Sequence, residues 1–165
     1  MKVRLQPATA DDVAELVLLQ NAVAQDLTSR YGKGHWSSNV SERGMRFAMT
    51  KATVYAARYR KRLVAMLALS PRKPWAIDKT YFSESKRPLY LTSMAVAPDK
   101  QRKGIGRLCI EGARDMARKW PGDAIRLDAY DAAAGGGEFY QKCGFQEVGR
   151  ATYRNNPLIY FEMKL

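Results

Sequence analysis

The apolar residues of the chain recur with two different periods, which predict strands and helices in turn. Runs in which every second residue is apolar indicate strands, and apolar stripes three or four residues apart indicate helices. No linker or repeat interrupts this order, so we expect a single domain over residues 1–165. Strands are predicted over residues 2–7, 53–58, 63–69, 89–97, 124–130, 146–153 and 158–165, and helices over 10–28, from about 41, over 104–120 and over 138–143.

Turn residues indicate how these elements are connected. The basic stretch Arg58–Arg62 joins two apolar strands so closely that we expect a hairpin with a solvated turn. Residues 70–87 contain Pro71 and Pro74 and show no period, which predicts a surface loop. The packed face of the helix over residues 104–120 is predicted to consist of Ile105, Leu108, Cys109, Gly112, Met116 and Trp120.

The charge of the chain favours an anionic partner. The sequence has 28 basic and 16 acidic residues, a net charge of +12, which suits a nucleic acid, a membrane surface or a phosphorylated cofactor. The basic residues are scattered from Lys2 to Lys164, with local clusters only at Arg58–Arg62 and Lys100–Arg107. The first cluster is typical of a hairpin turn, so the second cluster is the candidate for binding an anion.

Several classes of protein are excluded by what the sequence lacks. Cys109, Cys143 and the single histidine, His35, are too few for a zinc site of four ligands, so no metal is expected. No apolar run approaches the ~18 residues of a membrane span, and Met1–Arg4 lead into no signal-peptide core. We therefore expect a cytoplasmic protein with two reduced cysteines and no membrane partner.

The stretch between the strand over residues 89–97 and the following helix has the features of an anion site. Gly104 and Gly106 stand where a helix begins, so N–H groups without carbonyl partners are left uncovered beside the positive end of the helix dipole. A diphosphate suits such a cradle better than a single carboxylate, because several fixed positive charges surround it. The surrounding basic residues are Lys100, Arg102, Lys103 and Arg107.

Two common phosphate-binding motifs do not account for this cradle. A Walker loop requires GxxxxGK followed by serine or threonine, and the sequence contains no such spacing. A dinucleotide fingerprint requires a third glycine, but Cys109 stands at that position, and the loop follows a late strand. Gly-x-Gly alone is weak evidence, so the identification depends on the residues around it.

Two motifs around this loop resemble the GNAT family of N-acetyltransferases. The stretch MAVAPDKQRKGIG, Met94–Gly106, resembles the family's Val-x-Pro followed by Gln/Arg-x-x-Gly-x-Gly/Ala. The stretch LDAYDAAAGGGEFYQKCGF, Leu127–Phe145, resembles a second motif, in which a short helix carries a tyrosine before Gly-Phe. The resemblance implies an α/β (α+β) fold: a mixed, mostly antiparallel sheet of six to seven strands flanked by about four helices. Its two central parallel strands, here residues 89–97 and 124–130, would splay apart to hold coenzyme A.

The resemblance further implies transfer of an acetyl group from acetyl-CoA to a primary amine by direct attack in a ternary complex. Main-chain groups of Met94 and Val96 would pair with the pantetheine arm. The hydroxyl of Tyr140 would protonate the departing thiolate, since tyrosine keeps its proton at pH 7; alternatively, Tyr140 packs the short helix against the sheet. The N–H groups expected at the pyrophosphate belong to Gln101, Arg102, Lys103, Gly104, Ile105 and Gly106, with side-chain charge from Arg102, Lys103 and Arg107.

The sequence departs from the family pattern at two places. Ala133 replaces an asparagine common seven residues before the tyrosine, so that cofactor contact is either missing or moved to the nearby Asp131, which we include among the cofactor-binding residues. Residues 89–97 also lack the glutamate that deprotonates the amine in many members. Asp128, Asp131, an ordered water or a backbone carbonyl would then take the proton, or the acceptor arrives neutral.

The acceptor would be a small-molecule or peptide amine. In this family it is chosen by the first two helices and the variable loops, here residues 22–41 and 70–87. Neither stretch has an acidic cluster, so a neutral or acidic amine is favoured over a polyamine. The side chains there that would suit a flat or partly apolar acceptor, or else simply pack, are Tyr31, His35, Trp36, Trp75 and Tyr81.

Alternative functions fit parts of the sequence. A non-catalytic acyl-CoA-binding or sensor module would explain the missing asparagine and glutamate. A nucleic-acid-associated protein would use the basic surface, with Tyr59 and Tyr90 as stacking residues, but nucleic acid is not an expected partner. Covalent catalysis through Cys143 lacks a histidine other than His35. A homodimer is the assembly we consider.

Overall fold

The central feature of the fold is a single β-sheet. A computed structural model describes residues 2–165, and Met1, where the predicted domain begins, lies outside the described residues. Within that range seven strands form the sheet: β1 (Arg4–Pro7), β2 (Thr53–Tyr59), β3 (Arg62–Ser70), β4 (Pro88–Val96), β5 (Ala124–Tyr130), β6 (Gln146–Tyr153) and β7 (Asn156–Lys164). Their order across the sheet is β1-β2-β3-β4-β5-β7-β6. All neighbours are antiparallel except β4 and β5, which confirms the predicted mixed sheet.

Four helices of the described residues pack on this sheet: α1 (Val13–Tyr31), α2 (Glu42–Lys51), α3 (Ile105–Lys119) and α4 (Gly137–Lys142). A short 3-10 turn precedes α1, where the backbone N–H of Thr9 donates to Asp12 Oδ2 at 2.8 Å. The helix α1 ends where Gly32 adopts a φ of 82°. It therefore runs past the predicted end at residue 28, because the glycine and not the preceding polar residues stops it.

The hairpin predicted around the basic stretch is confirmed. The strands β2 and β3 pair from Thr53 opposite Leu69 to Tyr59 opposite Arg62. The two residues of the turn, Arg60 and Lys61, have φ values of 51° and 65°. Left-handed conformations at both central positions match the twist of antiparallel strands, so the turn closes without a longer loop.

The helices divide between the two faces of the sheet. On one face, α3 and α4 cover the core, where Ile105 packs with Leu67 and Phe161. On the opposite face, α1 and α2 cover a second cluster, where Leu16 packs with Met66. A ligand between the central strands would therefore meet α3 and α4 on one side and α1 and α2 on the other.

The buried side of α3 differs from the predicted one. Leu108 and Trp120 are each 40% exposed, so the prediction was wrong for both residues. Alanine side chains face the sheet in their place, and such small residues allow the helix to lie close to the strands. The buried residues are Ile105, Cys109, Ile110, Ala113 and Ala117.

The connection between β3 and β4 is not only a surface loop, as the sequence predicted. Ile77 and Phe82 are buried and pack with side chains of β4 and β7. A buried ion pair beneath them joins Arg126 Nε to Glu162 Oε2 at 3.0 Å. Arg126 also donates to the carbonyl of Ser83 at 2.6 Å, which fastens the connection to the sheet.

Candidate active site

The parallel strands β4 and β5 are hydrogen-bonded along only part of their length. Pairing runs from Pro88 opposite Ala124 to Tyr90 opposite Arg126. Beyond that pair β4 continues beside β3, and β5 continues beside β7. A β-bulge interrupts the pairing of β4 with β3 in this region, and Ser93 has a φ of 54°. A bulge bends and twists its strand, so β4 and β5 separate, as the predicted splay requires.

The edge of β4 that faces this opening carries the main-chain groups predicted to meet the pantetheine arm. The N–H of Ala97 donates to Val64 of β3 at 2.8 Å, so alternation directs the main-chain groups of Val96 and Met94 toward β5. The side-chain amide of Gln101 donates to the carbonyl of Val96 at 3.0 Å. Sequence reasoning assigned Gln101 only a backbone role, because nothing in the motif shows where its side chain turns.

The glycine cradle stands at the beginning of α3. Gly104 has a φ of 83° and open space where a Cβ would stand, whereas a Cβ on Gly106 would lie 3.0 Å from the ring of Phe139. The first intrahelical N–H, that of Leu108, donates to Gly104 at 3.1 Å. The earlier N–H groups of the helix therefore have no intrahelical acceptor. This geometry fits a diphosphate, and coenzyme A, the predicted ligand, carries a diphosphate.

The charged side chains around the cradle are exposed. Arg102 adopts a φ of 59°, and it and Lys103 extend from the loop beside the N-terminus of α3. Arg107 is paired with Glu111, with 3.4 Å between Nε and Oε1. The pair is exposed and therefore contributes little stability, so Arg107 can exchange this partner for a phosphate at small cost.

Tyr140 lies on α4, in the core that α3 and α4 cover. Its ring packs against the rings of Phe139, Phe145 and Phe161, with centroids 5.2, 5.7 and 6.1 Å away. Burial, and then the charge of Asp128, raises the pKa of its hydroxyl above the ordinary tyrosine range. The hydroxyl therefore keeps its proton throughout the physiological pH range. Whether it reaches the thioester sulfur stays a prediction.

Two other side chains singled out in the sequence are held in ways that limit their chemistry. Burial raises the pKa of the Cys143 thiol, so little thiolate is present for covalent catalysis. Asp131, which follows β5, is paired with Arg150 at 3.3 Å. Its role as a cofactor ligand stays a prediction, and it would have to exchange Arg150 to accept the amine proton.

Asp128 differs from these residues because it is half-buried without a compensating charge. It lies on β5 opposite Tyr160 of β7, beyond the last residue that pairs with β4. Among residues 2–165, no side chain forms an ion pair or a hydrogen bond with its carboxylate. Burial raises the pKa of this carboxyl group, since removing a charge from water favours the protonated form.

Of the five side chains predicted to line the acceptor site, the structure brings only Trp36 against the end of β5. Its ring contacts Tyr130 edge-on, with centroids 5.7 Å apart, and its indole N–H donates to the carbonyl of Gly32 at 3.0 Å. The hydroxyl of Tyr130 donates to the carbonyl of His35 at 3.3 Å. Sequence reasoning missed Tyr130, although its alternation with Asp128 on β5 places both on one face. The other predicted side chains are exposed here or packed elsewhere: Tyr31, His35, Trp75 and Tyr81.

Cys109 and Cys143 are free thiols. Within residues 2–165, no three histidine, cysteine or acidic side chains lie where they could share a metal ion. Over the same residues, no helix combines the length and apolar character that crossing a bilayer requires.

The splayed parallel pair and the glycine cradle at a helix N-terminus match the fold of the GNAT acetyltransferases. The family model described as the acetyltransferase (GNAT) family matches residues 21–145, and the chain belongs to this family. Comparison with curated proteins gives no sequence match.

Solved structures share the fold over almost the whole chain. An N-acetyltransferase from Staphylococcus aureus aligns with a TM-score of 0.74 at 13% identity, covering 99% of each chain. The PaiA N-acetyltransferase from Thermoplasma acidophilum, in complex with coenzyme A, aligns with a TM-score of 0.73 at 15% identity, covering 100% of each. A ribosomal-protein-alanine N-acetyltransferase from Brucella melitensis aligns with a TM-score of 0.71 at 18% identity, covering 98% of this chain and 99% of its own. At such identities the likeness concerns the fold alone.

Proposed function

We propose that the protein is an N-acetyltransferase that moves the acetyl group of acetyl-CoA to a primary amine by direct attack, with both substrates bound together. The observation that carries this proposal is the opening between β4 and β5, which ends at the uncovered N–H groups of α3. It supports one site in which a diphosphate is held at one end and a thioester lies between the strands. Acetyl-CoA, when bound, supplies an acetyl group activated by its thioester.

Each cofactor-binding residue has a proposed role. Main-chain groups of Met94 and Val96 pair with the pantetheine arm, while Gln101 keeps the Val96 carbonyl in place. The N–H groups at the start of α3, including those of Ile105 and Gly106, hold the diphosphate. Residues Arg102, Lys103 and Arg107 add charge around it, and Asp131 completes the far side of the site.

Direct attack is favoured over a covalent enzyme intermediate. The raised pKa of Cys143 makes its thiol a poor nucleophile, and His35 contributes only its backbone carbonyl, to Tyr130. Tyr140 keeps its proton and can donate it to the departing sulfur. The free thiols of Cys109 and Cys143 suit the cytoplasm as the proposed setting.

The basic hairpin gives no comparable support for nucleic-acid binding. Arg58 donates to Asp12 at 2.6 Å and to Glu15 at 3.0 Å. Arg62 forms a two-bond pair with Asp99, at 2.7 and 2.8 Å. Two arginines of the cluster are thus bound to carboxylates of the protein, which leaves less free charge for phosphates.

The proposal is tested by following release of the coenzyme A thiol while a panel of primary amines is added singly. We expect calorimetric binding of acetyl-CoA and thiol release that depends on the amine, with the acetylated amine identified by mass. Binding without amine-dependent release would show a CoA-binding module instead. Absence of both would overturn the assignment of the cradle and of the activity.

A further inference from the structure

One carboxylate beside the opening, that of Asp128, is half-buried and has no ion-pair partner among residues 2–165. Asp128 lies on the face of β5 that also carries Arg126 and Tyr130, since alternate residues of a strand share a face. In the neighbouring strand Tyr160 lies opposite Asp128. This is the face covered by α1, α2 and the connection between β3 and β4, and it is opposite to α3 and its cradle.

The charged and titratable groups that face Asp128 are already engaged with other partners. Arg126 donates to Glu162, to the hydroxyl of Tyr90 at 3.1 Å and to the carbonyl of Ser83. The hydroxyl of Tyr160 is bonded to the backbone at Ala76 and Asp78, and that of Tyr130 to His35. Burial, and then the charge of Asp128, raises the pKa of Tyr140, which lies on α4 in the core at the other face of the sheet. Among the residues that the structure describes, the Asp128 carboxylate has no such hydrogen bond.

An aromatic wall borders this carboxylate. Tyr130 is two residues along the same face, and Trp36 closes against it from the segment between α1 and α2. A Cβ on Gly34 would lie 2.5 Å from the Trp36 ring, so the glycine allows the indole to fold back over its own loop. The wall is held by hydrogen bonds at both of its polar atoms, which preorganises it for a ligand.

We propose that Asp128 binds the ammonium group of the acceptor and takes its proton, and that Trp36 and Tyr130 select acceptors whose primary amine adjoins a flat apolar group. This inference rests on the proposed acetyl transfer. An ammonium beside aromatic rings and a carboxylate gains from both, because the ring faces and the carboxylate are all negative. A partly buried carboxyl group is also a stronger base than one in water, which suits proton removal near neutral pH.

The proton and electron balance of the step is complete. The ammonium gives one proton to the Asp128 carboxylate, which later releases it to water. The freed nitrogen lone pair forms a bond to the acetyl carbon while the bond from that carbon to sulfur breaks. A second proton leaves the nitrogen and replaces the one that Tyr140 donates to sulfur, and the third remains on the amide product.

The experiment compares the protein with Asp128→Asn, and uses Asp115→Asn as a control of the same charge change, since Asp115 is exposed on α3. The binding probes are 2-phenylethylamine and the neutral 2-phenylethanol, measured by calorimetry. We expect the protein to prefer the ammonium at least 10-fold, Asp128→Asn to lose that preference, and Asp115→Asn to keep it. Trp36→Leu should weaken both probes. Thermal melting checks that every variant is folded.

Turnover gives the second readout. With 2-phenylethylamine, Asp128→Asn should lower kcat/KM at least 100-fold at pH 7, with acetyl-CoA affinity unchanged. The difference in kcat/KM between the unmodified protein and Asp128→Asn should shrink as pH rises toward the pKa of the free amine, because the acceptor then arrives deprotonated. Asp128→Glu should recover part of the rate.

The outcomes separate the two proposals. Equal probe preference and equal turnover in Asp128→Asn would overturn the role of Asp128 while leaving acetyl transfer in place. Asp128-dependent binding of the ammonium, without acetylation of any amine by the unmodified protein, would support the ammonium site and overturn the activity. A deficit that does not change with pH would overturn the proton-accepting role and leave only the binding role.

Discussion

The two glycines of the cradle serve different purposes. Gly104 supplies a left-handed backbone at the N-cap of α3 and leaves the space beside it open. Gly106 allows the helix to approach α4, because any Cβ there would touch Phe139. Substitutions at the two positions should therefore fail in different ways, one in ligand binding and the other in packing.

Gly104→Val should weaken acetyl-CoA binding while the protein stays folded. The new side chain would occupy the space beside the uncovered N–H groups and strain a left-handed backbone. We expect Kd to rise about 10- to 100-fold, the equivalent of one or two hydrogen bonds to a charged group. Calorimetry measures this. Gly32→Val is the matched control and should leave the affinity unchanged, since Gly32 has a φ of 82° and equally open surroundings at the end of α1. Unchanged acetyl-CoA affinity in Gly104→Val would show that the loop is not part of the site.

Tyr140→Phe should separate chemistry from packing. The phenylalanine ring keeps the contacts with Phe139, Phe145 and Phe161 and removes only the hydroxyl. We expect kcat to fall about 100-fold, the usual scale for a lost general acid, with acetyl-CoA affinity unchanged. Because burial raises the pKa of Tyr140, its deprotonation should cause no loss of rate up to pH 10 in the unmodified protein. Equal kcat in both proteins, with chemistry rate-limiting, would make Tyr140 a packing residue.

At the scale of elements, α3 and α4 meet where Gly106 faces the ring of Phe139. The ring of Phe139 fills the space that a Cβ on Gly106 would need. Gly106→Ala should therefore cost about 1–3 kcal/mol in free energy of unfolding, the usual penalty for overpacking. Adding Phe139→Leu should recover part of that loss, as urea titrations of both variants would reveal. Additive losses in the double variant would show that the two positions are not in contact.

The connection between β3 and β4 depends on a buried charge pair. Arg126 and Glu162 have side chains that are 5% and 3% exposed. Glu162→Gln would leave the buried guanidinium without its counter-ion, so we expect a loss of about 3 kcal/mol in stability and faster proteolysis between Pro71 and Arg87. Asp99→Asn, which breaks an exposed pair with Arg62, should cost less than about 1 kcal/mol. Similar midpoints of urea unfolding for the two variants would contradict this account.

The sequence predicted elements better than it predicted their contacts. Strands and helices follow from local periodicity and from glycines such as Gly32 and Gly104, which act within a few residues. The bond from Gln101 to Val96, the isolation of Asp128 and the wall made by Trp36 and Tyr130 depend on residues brought together by the sheet order. Burial of Leu108 was misjudged because alanines, which give little hydrophobic signal, form the true buried stripe of α3.

At the scale of the whole molecule, the net charge of +12 constrains the acceptor. A polyamine would bring several positive charges toward a basic surface, and one carboxylate at Asp128 cannot offset them. We therefore expect kcat/KM for spermidine or kanamycin to be lower than for 2-phenylethylamine or phenylalanine. Added salt should reduce kcat/KM for phenylalanine more than for 2-phenylethylamine, because its carboxylate is steered by the basic surface over a Debye length of about 10 Å at 0.1 M. Spermidine or kanamycin as the best substrate would contradict the expectation.

The strands β4 and β5 are not paired beyond Tyr90 and Arg126, and the two faces of the sheet there are covered by different helices. Under the proposed function, one substrate enters from the side of α3 and α4, and the other from the side of α1 and α2. Each product can then leave by its own side, so neither product has to leave before the other. The protein itself would therefore impose no strict order of product release. Residues at the acceptor mouth can also change during evolution without altering the cradle, because the two mouths belong to different layers of the fold.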